Sequence, residues 1–265
     1  MKFFEFQFNP QQEKKEILFD SFCFQPQTKK EEHLGCLYLI GELKNILPGS
    51  QNIFSKLVKI IKNSYYAQEG TPQERFKEGL DKANNFLKKE IKKENVNWIG
   101  NLSFAALALT PKMESCLTRA GNLKIFLQRN KELFDIGENV ESSSSERLFP
   151  TLIEGSFASE DKVFLMTGEV FRIFFKEDIL EKLAEAKNIG EIKKIIKEKR
   201  KALKDVLGSF LVIVPEKRNI LTKKIYFPAL PKISFLSTLS SFWKNNLLKV
   251  SILIILLLLG WLIFK

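Results

Sequence analysis

Three segments near the start of the chain show the hydrophobic patterns of β-strands. Lys2–Phe8 and Glu16–Phe24 alternate apolar and polar residues over much of their length, and a polar segment, 9–15, lies between them. Leu34–Ile40 is more continuously apolar. Alternation with a period of two is typical of half-buried strands, whereas a short continuous apolar run indicates a buried one. The pattern predicts three strands, of which the first two form a pair.

The next part of the chain changes to helical spacing. Over 44–66 and again over 72–93, apolar residues recur three and four positions apart with charged residues between them. Thr71 stands before the second segment, Pro72 opens it, and Glu74 follows three residues after Thr71. This is the signature of a capping box with proline in the first turn. Two amphipathic helices are therefore predicted.

Strand patterns return after residue 97, with turn residues between them. The predicted strands are Leu102–Thr110, Ser115–Ala120, Lys124–Gln128 and Leu133–Ile136. Pro111-Lys112, Gly121-Asn122 and Arg129-Asn130-Lys131 separate them, as is typical of hairpins. The polar segment Glu141–Glu146 follows and is predicted to be a mobile loop.

A continuous apolar run, Val163–Met166, is followed by Thr167-Gly168-Glu169. This pattern predicts a buried strand that ends in a turn at the rim of a sheet. Helices are predicted over 176–186 and 189–204, and a last strand over Phe210–Val214. The order of strands, two helices, strands, two helices and strand predicts an α+β fold. We expect an α/β/β/α four-layer sandwich of two antiparallel sheets flanked by helices.

The end of the chain has the composition of a membrane anchor. Val250–Phe264 is an apolar run, about 22 Å of helix at roughly 1.5 Å per residue, and Leu247 and Leu248 lengthen it toward the roughly 30 Å of a hydrocarbon core. We predict a globular domain over 1–215, a basic juxtamembrane linker over 216–246 and a single transmembrane helix over 247–264.

The formal net charge of +11 is concentrated in two segments. Lys187–Lys204 holds eight Lys/Arg against two Glu, and Glu216–Lys249 holds seven against one, so each carries +6. A basic segment beside an apolar one is typical of a protein that contacts an anionic membrane surface. The positive excess before the anchor predicts a single-pass membrane protein with its N-terminal domain in the cytoplasm. Nucleic acid is the competing partner of a basic patch, but no nucleic-acid module accompanies the charge, so none is predicted.

Few side chains suit nucleophilic or zinc chemistry. His33, the one histidine, lies in a charged segment, so a Ser-His-Asp triad or a multi-histidine metal site would depend on this residue alone. Cys23, Cys36 and Cys116 contain no Cys-x-x-Cys pair and lie in apolar, strand-like runs. They predict buried free thiols rather than a disulfide framework or a zinc site.

Five local motifs in order resemble those of the PPM-type, metal-dependent serine/threonine protein phosphatases (type two C) over about residues 1–215. The family carries, in this order, Ala-Asp-Gly after a strand, Gly-Thr-Thr, a Gly-Asp-Ser hairpin, Ser-Asp-Gly and Asp-Asn before a strand. The matching segments here are Leu37–Glu42, Ile99–Ser103, Ala120–Leu127, Phe164–Val170 and Gly208–Val214. The resemblance implies the sandwich fold and, in the family, a reaction that needs two Mg²⁺ or Mn²⁺ ions held by carboxylates around a bridging water.

The aspartates that the resemblance implies are mostly missing. Glycine stands at three of these positions and asparagine at the hairpin position: Gly41, Gly168, Gly208 and Asn122. Asp20 is retained, in Phe19-Asp20-Ser21-Phe22, where the family carries Glu-Asp before a similar strand. Glu42 and Glu169 each follow a lost aspartate by one position, so we expect their side chains to point away from the former site. Asp20, Glu42 and Glu169 are the remaining candidates for a rebuilt metal site.

The leading hypothesis is a catalytically inactive PPM-phosphatase-like domain, a pseudophosphatase, anchored at the cytoplasmic face of a membrane. It would act as a binding or regulatory module for an unidentified protein partner, with no catalytic residues and no cofactor. The alternative is an atypical metal-dependent serine/threonine protein phosphatase that uses Mg²⁺ or Mn²⁺ on Asp20, Glu42 and Glu169.

Overall fold

Two β-sheets lie face to face between two layers of helices. The computed structural model describes residues 1–9, 17–47, 50–67, 70–138, 147–149, 151–215 and 221–227, with the backbone alone for 51 and 221–227. The strands are β1 (Lys2–Phe8), β2 (Ile17–Phe24), β3 (Cys36–Lys44), β4 (Leu102–Leu109), β5 (Glu114–Ala120), β6 (Lys124–Arg129), β7 (Glu132–Asp135), β8 (Ile153–Ser156), β9 (Lys162–Met166), β10 (Gly208–Val214) and β11 (Leu221–Phe227). The helices are α1 (Gln51–Tyr65), α2 (Pro72–Lys92), α3 (Gly168–Lys176), α4 (Ile179–Glu185) and α5 (Ile189–Glu198).

Strand order differs from the predicted pairing at the start of the chain. Sheet A has the order β11-β1-β10-β9-β6-β7, and sheet B has the order β2-β3-β4-β5-β8. The described strand pairs are antiparallel, apart from β1 with β11, which is parallel. The predicted pair of β1 with β2 is therefore wrong. β1 is buried on both faces, with aromatic side chains on each, and such a strand is favoured inside a sheet that is covered on both sides.

Three apolar cores confirm the four-layer arrangement. One core lies between α1, α2 and sheet B, and it includes Phe54, Phe76 and Phe104. A second lies between the two sheets, where Phe3 and Tyr38 meet edge to face at 6.0 Å. The third lies between sheet A and α3 to α5. Each sheet is thus covered on one face by helices and on the other by its partner sheet.

The capping box predicted at Thr71 is confirmed. The Thr71 hydroxyl accepts a hydrogen bond from the Glu74 N–H at 3.2 Å, and the Glu74 carboxylate accepts one from the Thr71 N–H at 2.8 Å. Pro72 occupies the first turn, where its missing N–H costs nothing. The box satisfies two N–H groups that the first turn of α2 would otherwise leave without partners.

Replacing Thr71 with alanine is expected to lower the free energy of unfolding by about 1 kcal/mol, because one of the first N–H groups of α2 loses its partner. Chemical denaturation of wild type and Thr71→Ala measures the difference. Ser55→Ala is a suitable control, since Ser55 is exposed within α1 and should leave stability within about 0.5 kcal/mol of wild type. An equal loss in both variants would contradict the capping role.

Residues 168–185 form two helices where a turn and a single helix are predicted. α3 begins at Gly168 directly after β9, and Asp178, with φ 56°, separates it from α4. The sequence of α3 is rich in glycine, β-branched and aromatic residues, which have low helix propensity. Burial of Val170 and Phe174 against sheet A stabilises the helix despite this.

Two strands were not predicted. β8 is short and contains glycine and charge, and it exists through its pairing with β5. β11 falls within the segment that composition assigns to the basic linker, and its backbone pairs with β1 from Lys2↔Leu221 to Phe8↔Phe227. Both strands depend on partners distant in sequence, which local patterns do not report. Sheet A therefore includes residues beyond the predicted boundary at 215.

Several predictions concern residues outside the described ranges. The mobile loop at Glu141–Glu146, most of the linker over 216–246 and the transmembrane helix over 247–264 belong to this group. Within the described residues, no helix combines the length and hydropathy that crossing a membrane requires.

Candidate functional site

The lost aspartate positions of sheet A converge at one end of the sheet. Gly168 begins α3 directly after β9, and Gly208 begins the neighbouring β10. The Thr167 N–H donates to the Ser209 carbonyl at 3.1 Å, and the Thr167 hydroxyl accepts from the Ser209 N–H at 3.3 Å. Asn122 precedes β6, on the other side of β9, and its side chain lies against Gly168. Three motifs of the resemblance thus meet in space.

The volume beside these glycines is filled by other parts of the chain. A Cβ atom at Gly168 would lie 2.6 Å from Asn122 Nδ2 and 2.9 Å from the Asn122 carbonyl oxygen. A Cβ atom at Gly208 would overlap the Thr167 hydroxyl oxygen and lie 2.9 Å from Val170 Cγ2. These separations are shorter than ordinary van der Waals contacts. Neither position leaves room for the aspartate side chain that the resemblance implies.

On sheet B, position 42 rather than 41 faces the space between the sheets. A Cβ atom at Gly41 would overlap the ring of Phe54 in α1, so this position faces the helices. Side chains alternate along a strand, and Tyr38 and Ile40 lie in the core between the sheets, so Glu42 lies on that side too. Glu42 therefore points into the space between the sheets, on the opposite side of β3 from position 41. A shift of one residue in a strand moves a side chain to the opposite face.

Glu42 is a buried carboxylate that forms an ion pair with Lys44. It is 1% exposed, and its Oε1 lies 3.0 Å from Lys44 Nζ. Burial raises the pKa of Glu42, the ion pair with Lys44 partly offsets this, and the negative charge of Glu169 raises the pKa further. Glu169 is partly exposed in the first turn of α3 and lies 3.9 Å from Arg172. Glu42 and Glu169 are therefore close enough to repel each other, each beside its own cation.

We expect Glu42→Gln to change how stability depends on pH. Because the pKa of Glu42 is raised in the folded state, the folded protein binds this proton more tightly than the unfolded chain does. Wild type therefore loses stability as pH rises from the unfolded pKa, about 4.3, through the folded pKa. Glutamine stays neutral, so the variant lacks this loss, and its stability relative to wild type should increase with pH.

Urea unfolding between about pH 4 and about pH 7 measures this difference. The exposed Glu138 supplies the control Glu138→Gln, the same substitution at a position where the side chain is not buried. If the difference between Glu42→Gln and wild type varied with pH no more than that of the control, the burial of the Glu42 charge would play no part in stability.

Asp20 is joined to two residues of β1 that sequence patterns did not single out. The Gln7 side-chain amide donates to Asp20 Oδ1 at 3.0 Å and to Glu5 Oε1 at 2.5 Å, and the Ser21 N–H donates to Asp20 Oδ1 at 2.8 Å. Glu5 is 1% and Gln7 8% exposed. Their signal in the sequence is two polar residues at alternate positions of an otherwise aromatic strand, which predicts a polar patch on one face.

These residues do not fit the two-metal centre of the family that the sequence resembles. An amide nitrogen stands between Glu5 and Asp20, where a hard cation would need oxygen ligands. Glu42 and Glu169 lie beside Lys44 and Arg172, respectively. Among the described residues, no group of three or more His, Cys, Asp and Glu side chains is arranged to hold a metal ion. His33 is exposed, with a ring nitrogen 3.4 Å from the Gly70 carbonyl oxygen.

Comparison with known proteins identifies the fold. No protein-family model and no curated protein sequence matches the chain. Among solved structures, PppA, described as a key regulatory component of T6SS in Pseudomonas aeruginosa, has a TM-score of 0.52 at 13% identity, over 74% of this chain and 96% of that one. The catalytic domain of the serine/threonine protein phosphatase PstP, in complex with two manganese ions, has a TM-score of 0.50 at 13% identity, over 74% and 97%. The SiaA-PP2C domain of Pseudomonas aeruginosa has a TM-score of 0.50 at 8% identity, over 76% and 85%.

The structural neighbours are PP2C or PPM-type serine/threonine phosphatases. At these levels of identity the likeness establishes a common fold and not a common activity. The activity must be argued from the residues at the site.

Proposed function

We propose that this chain is a catalytically inactive PPM-phosphatase-like domain, anchored at the cytoplasmic face of a membrane, that binds and regulates a protein partner there. The observation that carries the proposal is the filled volume beside Gly168 and Gly208. A site that had merely lost its carboxylates would retain the cavity in which they lay. Here Asn122, Thr167 and Val170 fill that volume, so this end of sheet A is closely packed.

The hydrogen bonds of β1 support the same conclusion. The Gln7 amide gives one N–H to each of two carboxylates, those of Glu5 and Asp20. Charge-assisted hydrogen bonds of this kind stabilise buried carboxylates without a cation. One oxygen of each of these two carboxylates therefore already has a donor, and a divalent ion bound at that oxygen would have to displace the Gln7 amide.

Regulatory use of the fold has a parallel among the structural neighbours. PppA is described as a key regulatory component in Pseudomonas aeruginosa, and its chain is covered over 96% of its length. A domain with the fold and without the metal ligands is suited to bind a protein rather than to hydrolyse a phosphoester.

Metal binding tests the proposal directly. A ligand that binds the folded state raises its stability by about 2.7 kcal/mol when present at about 100 times its dissociation constant. We expect the unfolding temperature of the full chain, in detergent, to be the same with Mn²⁺, with Mg²⁺ and with a chelator. A rise with Mn²⁺ that disappears in Asp20→Ala would overturn the proposal.

The membrane location rests on the apolar segment 247–264 and the preceding basic segment. We expect the full chain to sediment with membranes and to require detergent for release, with the domain accessible to protease only from the cytoplasmic side. A chain truncated after Ala229 is the control, and it should lose membrane association. Equal fractionation of both chains would contradict the anchor.

The partner can be sought by comparing the full chain with an unrelated protein on the same membrane anchor. Proteins crosslinked to the full chain in membranes and absent with an unrelated protein on the same anchor are the expected partners. Identical crosslinked proteins in both samples would count against a binding role for the domain.

The alternative, an atypical metal-dependent phosphatase, is favoured by one observation. Glu42 points into the space between the sheets. The negative charge of Glu169 adds to burial in raising the pKa of Glu42. Displacement of Lys44 and Arg172 would free two carboxylates for one ion. Phosphatase activity, measured with and without Mn²⁺ or Mg²⁺, decides between the two functions.

A further inference from the structure

A cluster of sulfur atoms lies on the inner face of sheet B, in the core between the sheets. Cys36 and Tyr38 are neighbours on the same face of β3, and Cys23 of β2 lies directly opposite Tyr38. The Tyr38 hydroxyl lies 3.9 Å from Met1 Sδ, in hydrogen-bond geometry. Cys36 is fully buried and Cys23 is partly exposed. Two thiols and a thioether therefore meet around one phenol, with access from the side of Cys23.

The strand register places the two cysteines side by side. Cys23 and Cys36 lie on the same face of sheet B, next to Tyr38, so both side chains belong to the core between the sheets. The thiolate, rather than the thiol, is the form of cysteine that binds a metal ion.

Strand geometry favours a metal bridge over a disulfide. Cys23 and Cys36 stand diagonally across β2 and β3, since Cys23 is opposite Tyr38 and Cys36 is two residues earlier. Diagonal pairs have Cα atoms about 7–8 Å apart, whereas a disulfide needs about 4.4–6.8 Å. A metal ion at about 2.3 Å from each sulfur spans the longer gap without moving the strands.

We propose that Cys23 and Cys36, with the thioether of Met1, form a site for one Cu(I) ion. This site is separate from the rim at Gly168 and Gly208 and goes beyond the proposed function. Binding replaces the thiol protons: one Cu(I) and two thiols give one bis-thiolate copper anion, and two protons leave to solvent. No electron is transferred in this step.

The ligand set selects Cu(I) over harder ions. Thiolate and thioether sulfurs are soft ligands, and Cu(I) accepts two or three of them. Structural Zn²⁺ prefers four ligands, usually with further cysteine or histidine, and His33 lies on the exposed 3₁₀ turn Glu32–Leu34.

Competition for copper tests the site. The full chain in detergent, reduced and kept anaerobic, is titrated into the coloured Cu(I) complex of bathocuproine disulfonate. We expect one equivalent of Cu(I) to transfer to wild type, and affinity to fall by about 100-fold or more in Cys23→Ser and in Cys36→Ser. Cys116→Ser is the matched control, because Cys116 lies in the separate core against α1 and α2. It should bind like wild type.

A second measurement uses wild type alone, so its result does not depend on whether the cysteine variants fold. Cu(I) should slow iodoacetamide labelling of Cys23, read by mass spectrometry, and Zn²⁺ at the same concentration should not. The proposal is overturned if wild type takes up no Cu(I), if Cys23→Ser binds as tightly as wild type, or if only Cys116→Ser loses binding. Conversion of Cys23 and Cys36 to a disulfide by hydrogen peroxide, without Cu(I) uptake, would also overturn it. None of these outcomes bears on phosphatase activity, so the two proposals fail independently.

Discussion

The full chain, purified in detergent, should hydrolyse an aryl phosphate and a phosphopeptide at the background rate, with or without millimolar Mn²⁺ or Mg²⁺. Glycine at 41, 168 and 208 supplies no ligand, and the volumes beside Gly168 and Gly208 are filled. Without two ions there is little to lower the pKa of an attacking water or to neutralise the charge that develops on the phosphoryl oxygens. A phosphatase lacking this arrangement loses the main source of its rate enhancement.

Comparing the rates of wild type and Asp20→Ala distinguishes a binding module from an enzyme with atypical metal ligands. Asp20 is the retained aspartate, and its contacts with Gln7 and Ser21 are internal to the polar cluster. Equal, background rates in both proteins would agree with a binding module. Metal-dependent turnover that disappears in Asp20→Ala, and also in Glu42→Gln, would establish the enzyme with atypical ligands instead.

Gly208→Ala should lower the free energy of unfolding by about 3 kcal/mol, combining about 1–3 for overpacking with about 1–2 for backbone strain. The added methyl group would overlap the Thr167 hydroxyl and press on Val170. Gly208 also has φ 153°, a conformation that residues with a Cβ rarely adopt. The Thr167 hydroxyl receives the Ser209 N–H at 3.3 Å, so moving it aside would break a buried hydrogen bond.

Gly155→Ala is the control, because a Cβ there would meet nothing closer than Ser115 Oγ at 3.7 Å. Its stability should lie within about 0.5 kcal/mol of wild type in the same denaturation experiment. Gly208→Asp, which restores the residue that the resemblance implies, should be at least as destabilised as Gly208→Ala and should gain no activity. A stable Gly208→Asp protein that binds Mn²⁺ would mean that the cavity reopens.

Most helices and strands follow from local patterns, and the exceptions have a common cause. α1 and α2 are amphipathic segments that bury one face, and Thr71 marks the start of α2 through bonds within four residues. α3 and β11 were not predicted, because partners distant in sequence stabilise them. α3 packs on sheet A, and β11 pairs with β1. Where tertiary contacts outweigh local propensity, a single sequence gives no signal.

The sequence predicts which acidic residues are present at the candidate site but not the direction in which their side chains point. The loss of four aspartates, three to glycine and one to asparagine, is visible in the sequence, as is the retention of Asp20. That Glu42 faces inward required the observed pairing of β3, because a one-residue error reverses the face. The Glu5–Gln7–Asp20 cluster joins β1 to β2, strands that lie in different sheets, and no spacing along the chain reports such a contact.

The sequence by itself determined the sandwich of two sheets and two helical layers, since the period of apolar residues dictates which face each element must bury. It also determined which acidic residues were absent. Only the tertiary structure decided whether the space of the lost aspartates was open, because packing against a glycine depends on side chains from other strands. Asn122 fills the space beside Gly168, and Thr167 and Val170 fill the space beside Gly208. The placement of Cys23, Cys36 and Met1 in one core was likewise decided there, since it requires β2 to pair with β3 and sheet A to pack on sheet B.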